Sequence, residues 1–215
     1  MQANKVFFDM MMSLDGFTAP EGMGLAHIHD PEYKQWSKKW MGLTYWVFQQ
    51  KFFRENLKIG EGGETGQENS MLEKTFQRTS VSIMGNRMFS LGERMWPEEA
   101  PFHTPVFVLT NQVRQPWVRP GGTTFSFVND GIESALCQAR EVAGNGDIRI
   151  AGGANVVQQY LNAGLVDEFT IHYVPVLFGQ GTPLFANMNP AIKLKMREVF
   201  PSGEVAHVTY EVEKG

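Results

Sequence analysis

Cysteine is almost absent from this chain: among 215 residues there is one, Cys137. A single thiol cannot build an intrachain disulfide framework. A chain of this length needs none, because it can bury roughly 70% of the surface its unfolded form exposes. Cys137 lies among Ala135, Leu136 and Ala139 in an expected helix, so it is read as a packed thiol. Positive charge is also scarce. Lys and Arg number 19 against 23 Asp and Glu, leaving a net charge of −4, and apart from Lys34, Lys38 and Lys39 they are scattered. That leaves no electrostatic footprint for a nucleic-acid backbone. No apolar run approaches membrane-spanning length, and no secretory core follows the opening Met-Gln-Ala-Asn-Lys. These absences point to a reducing, cytoplasmic setting and to a small-molecule partner rather than nucleic acid or membrane.

What is present is ordinary globular composition, 42% hydrophobic and 20% charged. Val6 to Ser13 is a short apolar run closed by Asp15-Gly16, the mark of a buried strand. Asp30-Pro31 then opens a helix from Glu32 to about Phe53, with Asp30 as its N-cap and Gly42 as the place where it could break. The polar, glycine-rich stretch Ile59 to Asn69 excludes regular structure and burial. A lid and a surface excursion fit it equally. Ser70 to Glu73 resembles a capping box that starts a short helix, and Asp130 to Glu133 resembles another. Strands follow at Val81–Met84, Pro105–Thr110, Thr124–Val128, Asp147–Ala151 and Glu168–Leu177. The last two strands, near Lys193–Phe200 and Val205–Val212, form a hairpin across Pro201-Ser202-Gly203-Glu204. The pattern predicts one α/β domain over residues 1–215: a mainly parallel twisted sheet, helices on both faces, and a C-terminal antiparallel hairpin.

The strongest local chemical signal is Ile148-Arg149-Ile150-Ala151-Gly152-Gly153-Ala154-Asn155. A strand that turns through two glycines into a helix presents free N–H groups at the positive end of the helix dipole, which suits a phosphate. A plain tight turn needs the same glycines, and no Walker or GxGxxG fingerprint is present. Asp9 is the other signal. It sits in an apolar strand on the same side as Phe7 and Met11, where an unpaired carboxylate is costly. It is edge-exposed or salt-bridged, or it is functional, the reading the central position of its strand favours. His27-Ile28-His29-Asp30 provides too few ligands for a metal site, and Trp36, Trp40 and Trp46 at helical spacing suit a core.

The order of these segments resembles the dihydrofolate-reductase-like superfamily, in particular the reductase domain of riboflavin biosynthesis. Ser13-Leu-Asp-Gly16, Val81-Ser-Ile-Met-Gly85-Asn86-Arg87, Val106-Phe-Val-Leu-Thr110-Asn111, Ala151-Gly152-Gly153 and Pro175-Val-Leu-Phe-Gly179-Gln-Gly181 carry the resemblance, from about residue 5 to 186. It implies NADPH across the carboxyl ends of the strands. By position, Gly85, Asn86 and Arg87 would lie near the adenosine-side phosphates, with Thr110 and Asn111 beside them. Gly152, Gly153, Ala154 and Asn155 would take the pyrophosphate, and backbone near Met11 and Thr18 the nicotinamide carboxamide. Asn86 departs from the arginine the family commonly carries there, which leaves NADPH over NADH to Arg87. Asp9 stands where riboflavin-type enzymes usually have a lysine. Asp9 and, more weakly, Asp15 are the candidate catalytic residues. The expected activity is hydride transfer to an unsaturated centre of a small, pteridine- or pyrimidine-like substrate, in a homodimer. A nucleotide-binding sensor or interaction protein without turnover is the alternative.

Overall fold

The computed structural model describes residues 4–214, so the first three residues of the leader reading lie outside it. In chain order the elements are β1 (Val6–Ser13), β2 (Phe17–Pro20), α1 (Tyr33–Gln49), α2 (Lys51–Asn56), α3 (Gln67–Arg78), β3 (Thr79–Gly85) and α4 (Asn86–Met95). Next come β4 (Pro105–Leu109), β5 (Trp117–Val118), β6 (Thr124–Val128), α5 (Ile132–Val142), β7 (Asp147–Gly152) and α6 (Ala154–Asn162). The chain ends with β8 (Glu168–Val174), β9 (Gly181–Pro183), β10 (Leu194–Ser202) and β11 (Val205–Val212).

Nine strands make one sheet in the order β10-β11-β8-β1-β7-β3-β4-β6-β5, and β2 pairs with β9 in a small separate ribbon. The central strands β8, β1, β7, β3, β4 and β6 run parallel, while β11, β10 and β5 are antiparallel additions at the edges. The expected C-terminal hairpin is there, with Val199 opposite Val208. Alternation along β1 decides which helices go where. Val6, Phe8 and Met12 point into a core shared with Leu136 and Ala139 of α5 and Val157 and Tyr160 of α6. Met11, on the other face, packs with Leu43 and Val47 of α1 and Leu72 of α3. A third cluster joins Phe89 of α4 to Met84, Val106 and Phe125. Helices therefore cover both faces of a mainly parallel sheet, as the alternating sequence pattern requires.

The local readings need five corrections. The long helix does not break at Gly42. It breaks at Gln50, whose backbone is extended (φ −75, ψ 132), because Glu64 pairs with the chain there: the Lys51 N–H donates to Glu64 O at 2.9 Å and the Glu64 N–H to Gln49 O at 2.8 Å. That approach needs glycine at position 63, where a Cβ would meet Gln49 O at 2.7 Å. Asp30 is not the N-cap; Glu32 is, and no side chain caps the helix. Ser70 does not start α3, which begins at Gln67 after Gly66, so the supposed loop residues Glu68 and Asn69 are helical and buried. Gly131 stands at the N-cap of α5 without a side-chain cap, so the Asp130–Glu133 box is not formed either. Cys137 faces outward and is exposed, because α5 buries Ala135, Leu136 and Ala139 instead.

Candidate active site

Four parallel strands, β1, β7, β3 and β4, deliver the sequence-predicted residues to one end of the sheet. Register pairs Met84 with Gly152 and Gly85 with Leu109, so Gly152-Gly153, Gly85-Asn86 and Thr110-Asn111 stand side by side. With neighbouring strands about 4.8 Å apart, three steps from β1 to β4 span on the order of 14 Å. The chain also reverses direction here. After β3 it moves outward through β4 and β6, then returns to β7 beside β1 and crosses over to β8. Open α/β sheets bind ligands at such a switch point.

Two helices start at this point. Gly85 is the N-cap of α4 and Gly153 the N-cap of α6. A Cβ placed on Gly85 would stand 3.9 Å from the Gly153 amide nitrogen, so the two helix starts converge. Gly152 adopts φ +132, a region L side chains avoid, and its peptide bond to Gly153 is cis. A Cβ on Gly152 would press to 3.0 Å on the Met88 sulfur, whereas one on Gly153 would meet nothing within 4 Å. Gly153 thus fronts open space at a helix start whose first N–H groups have no partner within the helix. The geometry fits a phosphate, and the side chain that would obstruct one is missing. Asn155 turns its amide oxygen to Gln159 Nε2 at 2.6 Å, leaving backbone as the donor set.

The other residues divide. Thr110 is buried, and its hydroxyl accepts from the Gln112 N–H at 3.1 Å. Asn111 is exposed beside it. Arg87 does not turn towards this pair. Its guanidinium donates to the Met23 carbonyl and, at 3.5 Å, to Thr182 Oγ1 of β9, lining a hollow with Gly22, Gly24 and Ser90. Thr18 lies at the same end, donating to Thr182 O at 3.3 Å. Asp15 is committed to the backbone. It accepts from Ser13 Oγ at 2.6 Å, from Phe178 N–H at 3.0 Å and from Gly179 N–H at 2.6 Å, tying the turn after β1 to the loop after β8. Although desolvation works in the opposite direction, these hydrogen bonds, Ser13's foremost, hold its pKa below the usual value.

Asp9 is salt-bridged. Arg149 of β7 donates from Nε to Oδ1 at 2.6 Å and from Nη2 to Oδ2 at 2.9 Å, a bidentate pair. His172 Nε2 of β8 lies 3.9 Å from Oδ2, and the Asp9 side chain keeps 10% exposure. Burial alone would raise the Asp9 pKa. The Arg149 charge and the contact with His172 override it and hold the carboxyl far below the usual range. The salt-bridged alternative is therefore the geometry found, on the face of β1 that also carries Met11.

Sequence reasoning missed the company Asp9 keeps: Arg149, His172, His207 and Glu68. A signal was available. His172 and His207 occupy positions in β8 and β11 that point inward by alternation, and a buried polar side chain at such a position requires a partner. Among the described residues, no group of three or more His, Cys, Asp or Glu is arranged to hold a metal, and no helix is long and apolar enough to cross a membrane.

Sheet order, switch point and paired helix starts define a dihydrofolate-reductase-like α/β fold of the riboflavin-reductase type. The family model for the RibD C-terminal domain matches residues 4–208, and the chain belongs to that family. A Shewanella sp. PV-4 protein assigned to riboflavin biosynthesis superposes with TM-score 0.63 at 20% identity, covering 99% of this chain and all of that one. The Thermotoga maritima diaminohydroxyphosphoribosylaminopyrimidine deaminase/5-amino-6-(5-phosphoribosylamino)uracil reductase superposes with TM-score 0.60 at 14% identity, over 98% of this chain and 57% of its own. Among curated relatives, the uncharacterized protein YyaP of Bacillus subtilis is 40% identical over 81 residues, 37% of this chain and 43% of that protein. The matches span less than half the length of the curated relatives.

Proposed function

We propose that this chain is an NADPH-dependent reductase that transfers a hydride to an unsaturated centre of a small, pteridine- or pyrimidine-like substrate. The observation that carries this reading is the convergence of Gly85 and Gly153, two helix starts meeting at the switch point with an open Gly153 face. Backbone N–H groups of Gly153, Ala154 and Asn155 would hold the pyrophosphate, with Gly85 and Asn86 on the second helix start and Thr110 and Asn111 beyond them. Arg87, bonded to Met23 and Thr182, would act as a strap on the segment around Gly22–Gly24. Backbone near Met11 and Thr18 would orient the nicotinamide carboxamide.

The dinucleotide, when bound, supplies the hydride. The chain supplies orientation and a charged wall. Asp9 Oδ1 retains a lone pair beyond its bond to Arg149, so an ionised Asp9 suits a ring N–H or amino edge. That requirement is what the pyrimidine- and pteridine-like class satisfies. The test is a fluorescence titration with NADPH, followed by NADPH oxidation with a pteridine and pyrimidine panel. Micromolar binding that weakens at least tenfold in Gly153→Val, about 1.4 kcal/mol, is expected, together with oxidation by at least one panel member. Unchanged affinity in a folded Gly153→Val would end the pyrophosphate assignment. Tight binding with no oxidation would favour a nucleotide sensor.

A further inference from the structure

Beyond Asp9, the same face of the sheet carries a file of buried polar groups that the cofactor track does not use. Register places Met11 of β1, His172 of β8 and His207 of β11 in one row. His172 Nδ1 is 2.8 Å from His207 Nδ1, and His207 Nε2 is 3.2 Å from Glu68 Oε1 of α3. Gln50, at the break between α1 and α2, donates to Glu68 Oε2 at 3.0 Å and to Glu64 Oε2 at 3.2 Å. Glu64 lies on the exposed loop, so the file runs from the surface to Asp9. Trp46 of α1 packs on both imidazoles at 5.1 Å, and the two histidines are 3% and 1% exposed.

With Asp9 ionised against Arg149 and both imidazoles neutral, one arrangement of protons gives every contact a donor and an acceptor. The Glu68 carboxyl donates to His207 Nε2. The His207 Nδ1–H donates to His172 Nδ1. The His172 Nε2–H then points at Asp9 Oδ2. This places His207 and His172 in opposite tautomers, with every bond oriented the same way.

We propose that Glu68, His207, His172 and Asp9 form a proton relay in which Glu68 stores the proton and Asp9 hands it to the substrate. This rests on the reductase reading, because reducing a C=N or C=O bond consumes one proton for every hydride. The Glu68 proton moves to His207 Nε2, the His207 Nδ1 proton to His172 Nδ1, and the His172 Nε2 proton to Asp9. Asp9 passes it to the substrate heteroatom while the hydride forms the C–H bond. Glu68 is left as a carboxylate and regains a proton from solvent on the Glu64 side, and each imidazole returns its proton to the starting nitrogen before the next turnover. Glu68, His207 and His172 act through one another and are positioning residues, while Asp9 meets the substrate. The groups facing the two ends agree with this division. Burial first, then Glu64, raises the Glu68 pKa, with Ser202 opposing, a direction that favours the protonated carboxyl the hydrogen-bond file calls for. Burial first, then His172, lowers the His207 pKa to about 3, which keeps that ring neutral. Asp9 faces Arg149, His172 and, on the neighbouring strand, Thr170; it conducts a proton without storing it.

The test reads imidazole tautomers by nitrogen NMR on the full chain labelled with nitrogen-15 histidine, without cofactor. At pH 7 we expect Nδ1–H on His207 and Nε2–H on His172. Asp9→Asn must accept from Arg149 through its oxygen and so offers its N–H to His172, and both tautomers should reverse. If His207, at the far end, keeps its tautomer in that variant, or either ring is an imidazolium at pH 7 in the parent, the relay is overturned. Glu68→Gln gives a second reading that needs no change at Asp9. It still donates to His207 but cannot ionise, so its tautomers should hold through a rise in pH that reverses them in the parent. A reversal in Glu68→Gln as well refutes the relay. With a panel compound that oxidises NADPH, Glu68→Gln should lower kcat about 10²-fold and leave KM and NADPH affinity unchanged; an unchanged kcat refutes proton delivery. Failure of the reductase reading would show separately, as absent NADPH binding with the tautomer pattern intact.

Discussion

Replacing Arg149 with methionine removes the charge that Asp9 depends on while keeping most of the stem that packs over Phe76, 4.9 Å from guanidinium carbon to ring centroid. The side chains of the pair are 14% and 10% exposed, so Asp9 would remain as a nearly buried anion without its bidentate partner. Breaking such a pair from one side costs about 3–5 kcal/mol. For a chain of this size each kcal/mol lowers Tm by roughly 2–4 °C, so a fall of roughly 6–20 °C is expected at pH 7. The pH dependence separates this cause from lost packing. In the parent, the depressed Asp9 pKa contributes stability at any pH above the unfolded value near 3.9, and it is lost only as pH falls through the lower folded value. In Arg149→Met, burial is opposed only by the contact with His172, and the folded Asp9 pKa rises. The deficit is then full above that raised value and shrinks as pH falls towards 4, where the carboxyl takes up its proton. Calorimetry of both proteins between pH 4 and 8 measures the gap directly. Asp9→Leu combined with Arg149→Met removes the anion as well and should recover most of the loss. A single-variant cost under about 1 kcal/mol, flat across this range, would show that Asp9 is solvated and that the buried pair is not what holds it.

Three further outcomes follow from the site. Arg87→Ala should weaken NADPH and NADH to a similar degree, about tenfold, because the guanidinium bridges Met23 and Thr182 and turns away from Thr110; a loss confined to NADPH in parallel titrations would place it on the ribose phosphate instead. Asp15→Asn should lower Tm by several degrees and speed proteolysis near residues 14–18 and 176–180, since its carboxylate clamps the Phe178 and Gly179 N–H groups. Lost turnover at unchanged Tm would make it a catalytic group. The chain should run as a homodimer in light scattering at micromolar concentration, because β10 pairs on one side only and exposes Leu194, Met196 and Val199. Met196→Glu should yield a monomer, and a monomeric parent would dismiss the interface.

The parts of this molecule that were legible in its sequence are those governed by local rules. Alternation in Val6–Ser13 placed Asp9 and Met11 on one face, and that face holds the Asp9–Arg149 pair and the second core cluster. Gly152-Gly153 marked a strand-to-helix turn because only glycine tolerates φ +132 there. The ends of helices were misread because their causes are distant in sequence. Gln50 leaves the helix to meet Glu64, and α3 begins early because Glu68 reaches His207, 139 residues away. Composition also misled where a polar residue is buried by a long-range partner. The stretch Ile59–Asn69 looks too polar to enter a core, yet its last two residues are buried. Local sequence reports what a residue prefers when it has no partner, and Glu68 has one. Such residues are legible only through their partners: a carboxylate in an apolar strand, with a histidine at an inward position of one neighbouring strand and a cation on the other. Asp9, His172 and Arg149 meet that description on the adjacent strands β1, β8 and β7.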